Sequence, residues 1–313
     1  MTNPSELHGV LVVDKARGPT SHTVVSQARR ALGTREIGHS GTLDPMATGV
    51  LVLVVGEATK LVNQLMAGSK TYEATLTLGK ATNSLDADGE VVEELPVPAL
   101  TVEAVREAAQ RFVGKIEQVV PAVSAVKVDG QPLYARARKG QDVVAPTRTV
   151  EVFELAILAL REHEIDLRVH SSKGFYVRSL GRDLAHALGT VGHLSALRRT
   201  QNGPFSLAQA FDQVRLRAAA QGDEVLRQAA REALIPLAHV ARGLSHVTLS
   251  EEGARHAFHG RRVPSSEVQS ESCVPEHAGD VRVAFDAAGK VLGLVEPDPS
   301  GGGLRVVRGI RAP

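Results

Sequence analysis

Tryptophan is absent, and three tyrosines with seven phenylalanines bring the aromatic share to only 3% of 313 residues. Too few rings exist to line the long stacking platform of a single-strand binder. The one cysteine, Cys273, forbids an internal disulfide, and no Cys/His set has the spacing of a zinc site. Neither G-x-x-x-x-G-K-[ST], nor G-x-G-x-x-G behind a strand, nor H-E-x-x-H occurs. Nucleotide, dinucleotide and zinc-hydrolase chemistry therefore lack support. The longest apolar run, Val50 to Val55, is far too short to cross a bilayer. Met1 to Gly9 lacks the basic-then-apolar layout of a secretory signal. These absences predict a cytoplasmic protein of a reducing compartment, with no membrane contact.

An excess of either charge is missing too: 36 Lys plus Arg face 35 Asp plus Glu, for a net charge of +1. The placement is informative where the sum is not. Acids gather at Asp86, Asp88, Glu90, Glu93 and Glu94; bases gather at 136–148, at Arg198-Arg199, at Arg261-Arg262 and along the tail. Such segregation suits a face for a polyanion, and equally an ordinary solvated surface. With 43% apolar residues the chain has material for a packed interior, and its length suggests two unequal domains.

Patterning predicts an α+β fold with a mixed or antiparallel sheet flanked by helices. Gly9–Val13 is a buried strand, and Thr20-Ser21-His22 offers caps for a helix running to Leu32 and stopped by Gly33. An all-apolar strand spans Val50–Val55, followed by a short helix from Ala58 to Met66. Thr71 to Leu78 alternates strictly, the signature of a half-buried strand. Val102, Val105, Ala109 and Phe112 sit at helical spacing behind a Thr101 cap, with Gly114 as the stop. Residues 120–148 read as loop or irregular insertion. Strands at 150–160 and 164–170, a Ser-Ser-Lys-Gly turn and a helix from Val177 to Leu188 follow, then helical patterns over 206–241. Beyond Ser245, short apolar runs separated by turn residues indicate a small β-rich domain. The expected division is 1–245 and 246–313.

The stretch Gly38-His39-Ser40-Gly41-Thr42-Leu43-Asp44-Pro45-Met46-Ala47-Thr48-Gly49 stands out. Its glycines let the backbone turn and admit a ligand closely, while Pro45 restricts Asp44 to an extended conformation. The loop thus delivers one carboxylate to the edge of a buried sheet. A turn in which Asp44 only bonds nearby N–H groups fits the same residues.

This stretch resembles the catalytic motif of the bacterial TruB family, the tRNA pseudouridine-55 synthases. Other segments stand in the order of that family: Asp14-Lys15, Gly18 and Thr20-Ser21; Gly56-Glu57-Ala58-Thr59-Lys60; Lys70-x-Tyr72; Asp86-x-Asp88-Gly89; Ser124-Ala125-x-Lys127. Gln131-Pro132-Leu133-Tyr134, Ala137-Arg138-Lys139-Gly140, Ser172-Lys173-Gly174-x-Tyr176-x-Arg178 and Leu197-Arg198-Arg199 continue it. The resemblance covers roughly residues 9–245 and implies a pseudouridine synthase fold. It implies isomerisation of a tRNA T-loop uridine, with neither cofactor nor metal. The base is detached, rotated and rejoined through C5.

By that resemblance Asp44 is the nucleophile, acting on C1′ or through a glycal. A carboxylate desolvated beside a sugar needs a fixed cation to stay ionised, and Arg178 matches that partner. A cation at a helix start opposes the helix dipole, which argues against a bystander arginine. Tyr72 matches the active-site tyrosine that stacks on the base, although a strand tyrosine on an apolar face is often plain core. Lys60 corresponds to a bracing contact for pocket or RNA, with a surface lysine as rival. Tyr176 falls in the substrate-binding motif, and Leu197 matches the residue packing on uracil. His39 matches the side chain that enters the T-loop and keeps the base flipped out; a general base is the alternative role. Lys15, Arg138, Lys139 and Arg148 are the expected phosphate contacts, the last three in the insertion over 120–148.

From about residue 246 the chain resembles the small PUA-type RNA-binding module of these enzymes. Two departures stand out: Val123 replaces a tyrosine of the family pattern, and Asn83 an aspartate. Competing readings are an RNA-binding or tRNA-folding module in which isomerisation is dispensable, and a guide-dependent relative in a ribonucleoprotein. The insertion and the modest C-terminal segment favour a stand-alone monomer without an obligate protein partner.

Overall fold

The computed structural model describes residues 7–121, 127–128, 131–132, 145–274 and 280–312. Its chain forms two compact units, one of Met1–Pro45, Gly49–Gly68 and Asn202–Pro313, the other of Met46–Thr48 and Ser69–Gln201. Among the described residues no helix is long and apolar enough to cross a membrane.

The first unit opens with β1 (Gly9–Lys15) and α1 (Ser21–Leu32). Val10 to Val13 are buried on both faces of the sheet, which is why the strand is a continuous apolar run and does not alternate. Thr20 caps α1 by accepting the Thr23 N–H at 3.0 Å, and Gly33, at φ 73°, closes it in the left-handed conformation. β2 (Ile37–His39) and β1 both pair antiparallel with β3 (Thr48–Val55). A 3-10 turn over Gly56–Leu61 leads into α2 (Val62–Ala67).

The second unit carries β4 (Lys70–Leu78), whose Ala74, Leu76 and Leu78 are buried between outward-facing threonines, as its alternation predicts. β5 (Lys80–Thr82) and β6 (Val91–Glu94) pair antiparallel and subtend the acidic turn. α3 (Val102–Gln110) follows its Thr101 cap. Gly114 does not end that helix; at φ 93° it opens β7 (Gly114–Val119), which the sequence pattern did not announce. After the short pair β8 (Lys127–Val128) and β9 (Gln131–Pro132) come β10 (Thr147–Arg161) and β11 (Glu164–Ser171). α4 (Val177–Ala187) and β12 (Gly192–Asn202) complete it. The strand order within this unit is β12-β4-β11-β10-β7. Arg138, Lys139 and Val123 lie outside the described residues.

The chain then returns to the first unit. β13 (Phe205–Ser206) precedes β14 (Phe211–Asp212), which lies parallel beside β1. Helices α5 (Gln213–Ala220), α6 (Glu224–Glu232) and α7 (Leu237–Arg242) follow, with β15 (Ile235–Pro236) pairing with β1. From His246 begins a separate six-stranded sheet with one helix, α8 (Glu251–Phe258). Its principal strands run Arg282–Phe285, Val291–Pro297 and Gly303–Gly309. One set of its apolar residues, Val247, Leu249, Leu292 and Val295, packs with Ala257 of α8. The other set, Val283, Phe285, Val291 and Leu294, shares a core with Val10, Val12, Val52 and Val54 of β1 and β3. The fold is α+β, as expected.

Candidate active site

Asp44 sits partly exposed on the connection from β2 to β3, and both of its neighbours are fixed through their backbones. Before it, the Leu43 N–H donates to Ser21 Oγ at 2.8 Å, and the same hydroxyl donates to the Leu43 carbonyl at 2.9 Å. After it, the Pro45 carbonyl accepts from the Gly18 N–H at 2.8 Å and from Lys15 Nζ at 3.2 Å. Further back, Asn202 Nδ2 donates to the Ser40 carbonyl at 3.1 Å, and the Ser40 N–H reaches the Val52 carbonyl at 2.9 Å. The glycines bend this loop; the buried polar groups around it give it one shape.

Lys15, expected at an RNA surface, is 0% exposed, and its ammonium bonds the Ala16 and Pro45 carbonyls. That burial makes it a brace of the Asp44 loop and takes it off the protein surface. His39 ends β2 opposite Leu53 and is half-buried, five residues before Asp44. Lys60 makes an ion pair of 2.6 Å with Glu57 and donates to the Gly309 carbonyl at 2.9 Å. Glu57 also accepts from the Arg311 N–H at 2.6 Å. Burial raises the Glu57 pKa, but the bonds from Lys60 and Arg311 outweigh it and leave the carboxyl below its usual value of 4.5.

In the second unit Arg178 is the second residue of α4, and its side chain is 4% exposed. Its guanidinium donates to the Ser84 carbonyl at 2.8 Å and lies 3.4 Å from a carboxylate oxygen of Asp86, itself 7% exposed. The other oxygen of Asp86 accepts from Ser84 Oγ at 2.5 Å and from the Asp88 N–H at 3.2 Å. The turn is pinned to β12, since Ala87 N–H donates to the Leu194 carbonyl and Leu194 N–H to the Leu85 carbonyl. Leu85 adopts φ 64° within it, a left-handed conformation uncommon for a leucine. A buried cation with a buried anion is thus held in a turn that is itself bonded to β12.

The backbone of Tyr176 precedes Arg178 and is gripped from β7. The Tyr176 N–H donates to Gln118 Oε1 at 2.8 Å, and Gln118 Nε2 donates to the Tyr176 carbonyl at 3.0 Å. Ser179 Oγ adds a bond to the Val119 carbonyl at 2.7 Å. Tyr72 lies in β4 opposite Val169, partly exposed, and Leu197 is buried in β12. Arg148 is exposed in β10. Asp86 and Gln118 received no role from sequence. The Asp86-x-Asp88-Gly89 pattern signals a tight acidic turn and could have drawn attention to the first; Gln118 has no such mark. Among the described residues no group of three or more His, Cys, Asp or Glu is placed to hold a metal ion.

Comparison with solved structures shows the fold. A chain from the crystal structure of a Cbf5-Nop10-Gar1 complex aligns over 99% of this chain and 88% of its own, with TM-score 0.76 and 24% identity. One from an H/ACA RNP bound to a substrate RNA containing 2′-deoxyuridine gives 0.74 over 98% and 86%, at 22% identity. These likenesses establish that the chain shares the fold of those two proteins.

Sequence comparison narrows it further. Residues 29–177 match the N-terminal domain of TruB family pseudouridylate synthase, and residues 178–240 match the tRNA pseudouridylate synthase B C-terminal domain. Proteins named tRNA pseudouridine synthase B are similar over most of the chain. That of Arthrobacter sp. (strain FB24) is 46% identical, covering 82% of each chain; that of Thermobifida fusca (strain YX) is 43% identical, covering 92% of this chain and 94% of its own. The relative from Ralstonia pickettii (strain 12J) is 42% identical over 92% and 90%. The chain belongs to the TruB family of pseudouridylate synthases, an isomerase family.

Proposed function

We propose that this enzyme converts uridine 55 in the T-loop of tRNA to pseudouridine, with Asp44 as nucleophile on a base flipped out of the RNA. The observation that carries this reading is the likeness, over 92% of the chain, to relatives named tRNA pseudouridine synthase B. The reaction breaks the C1′–N1 bond and forms C1′–C5. A proton leaves C5 and N1 gains one, so the atoms balance without oxidant, reductant or co-substrate. Asp44 supplies the anionic group, and the bonds on Leu43 and Pro45 support that role by presetting its direction. Arg178 supplies fixed positive charge, aimed by Asp86 and Ser84. Tyr72 stacks on the base and takes part in proton transfer, Leu197 packs on the uracil, and His39 fills the place the base vacates. Unstacking the base costs a few kcal/mol, which such contacts offset.

Incubation of the purified protein with an unmodified tRNA transcript, followed by pseudouridine mapping, tests the proposal. Product at the T-loop uridine is expected. No product there, with the RNA bound, would reduce the chain to an RNA-binding module.

A further inference from the structure

Ser21 is the first residue of α1, where a hydroxyl ordinarily serves the helix end by accepting a free N–H. Here Thr20 performs that task, through its bond from the Thr23 N–H at 3.0 Å. The Ser21 hydroxyl is thereby released from capping. It spends its proton and a lone pair on one residue, Leu43, at 2.9 and 2.8 Å. Both Ser21 and Leu43 are buried, so water is in no position to replace either bond. The peptide groups of Leu43 are held at both N–H and C=O by a side chain that comes from 22 residues earlier in the chain.

The far side of Asp44 is fixed independently. Pro45 has its φ set by its ring, and its carbonyl is held by Gly18 and Lys15. With both flanking residues tied by these bonds, the direction of the Asp44 carboxylate is set mainly by its own side-chain torsions. We propose that Ser21 is a positioning residue for the reaction: it aims the Asp44 carboxylate by locking the residue before it. This rests on Asp44 being the nucleophile.

Catalysis by a prepositioned group loses about a hundredfold for a misplacement near 1 Å. Ser21→Ala, compared with the unmodified chain and with Asp44→Asn, tests the role on unmodified tRNA transcript. The measurements are single-turnover rate at saturating RNA, RNA affinity, and thermal melting of the same samples, with rates taken well below each transition. Ser21→Ala is expected to slow turnover by about ten- to a hundredfold while affinity stays within about threefold, because the loop is misaimed but the RNA surface is intact. Asp44→Asn is expected to bind RNA without turnover. If Asp44→Asn is inactive and Ser21→Ala turns over normally, the positioning role is wrong and the assignment of Asp44 stands. If Asp44→Asn remains active, the assignment itself fails and Ser21 has nothing to position. Equal losses in rate and affinity, or a chain that does not fold, make Ser21 a structural residue only and overturn the proposal.

Discussion

Gln118 holds Tyr176 by both backbone polar groups, at 2.8 Å through its oxygen and 3.0 Å through its nitrogen. The amide thereby takes the place of a strand neighbour for one residue, at the point where the chain turns into α4. That start carries no side-chain cap, so the clamp from β7 also sets where the helix begins. Arg178, two residues on, inherits its position from it.

Gln118→Leu is expected to cost about 2 kcal/mol of stability, the usual penalty when buried polar groups lose their partners. Turnover should fall as well, since Arg178 moves with the helix start. Urea denaturation and turnover at saturating tRNA measure the two effects. A variant as stable as the original would show that the clamp contributes nothing.

The pair of Arg178 and Asp86 makes a sharper prediction, because a buried ion pair is costly to break from one side only. Asp86→Ala should destabilise by about 3–5 kcal/mol, leaving a buried guanidinium with the Ser84 carbonyl alone of the two groups in the turn. The double variant Asp86→Leu with Arg178→Met should regain much of that stability while remaining without turnover. A double-mutant cycle from urea melts of Asp86→Leu, Arg178→Met and the double variant reports the coupling. Arg178→Lys keeps the charge but loses the planar fork, and turnover should drop roughly tenfold or more. Additive single effects would dismiss the pair as an energetic unit.

How far the sequence discloses this site depends on what each residue bonds. β4 is legible because Ala74, Leu76 and Leu78 are buried between threonines. β12 is obscured because Arg199, which reads as a surface base beside Arg198, is 2% exposed and takes an inward position of the strand. Lys15 differs from its expectation for the same reason: the family resemblance suggests a phosphate contact, while the fold buries it against two carbonyls. Asp44 is announced by its loop of glycines and proline, since special backbone conformations demand special residues. Among the described residues, the side chains of Gln118 and Ser21 bond backbone groups of distant segments. Nothing in a local pattern records such a bond, so these two become visible only in three dimensions.

Glu57 predicts a pH effect. Its pKa is lowered in the folded chain because the bonds from Lys60 and Arg311 outweigh burial, so the stability it contributes is complete above the usual value of 4.5. That contribution disappears as pH falls through the lower folded value. Glu57→Gln should therefore cost roughly 1–2 kcal/mol at pH 7, the scale of a charge-assisted bond, and progressively less toward pH 3. Melting curves across that range give the difference. A constant difference would mean that the charge of Glu57 does not hold the Gly309–Arg311 segment.

The C-terminal sheet covers an apolar face, and the RNA-binding role proposed for it needs a test that leaves that cover intact. Val283, Phe285, Val291 and Leu294 share a core with β1 and β3, so truncation after Ser245 uncovers an apolar face and should give an insoluble or strongly destabilised chain. The proposed contribution of this sheet to RNA binding is better tested in the intact protein. Arg255, Arg262 and Arg305 are committed to ion pairs with Glu252, Asp298 and Glu296. Arg261 and Arg308 are exposed and enter no ion pair among the described residues. Replacing both by glutamine leaves the core alone and removes two charges from the surface. If they bind phosphates, tRNA affinity should fall and the slope of log affinity against log salt should flatten by about 0.7–0.9 for each phosphate no longer neutralised. Turnover at saturating tRNA should stay unchanged, because interactions made equally in the bound and transition states affect affinity alone. Unaltered affinity and salt slope in this double variant would confine the sheet to covering β1 and β3.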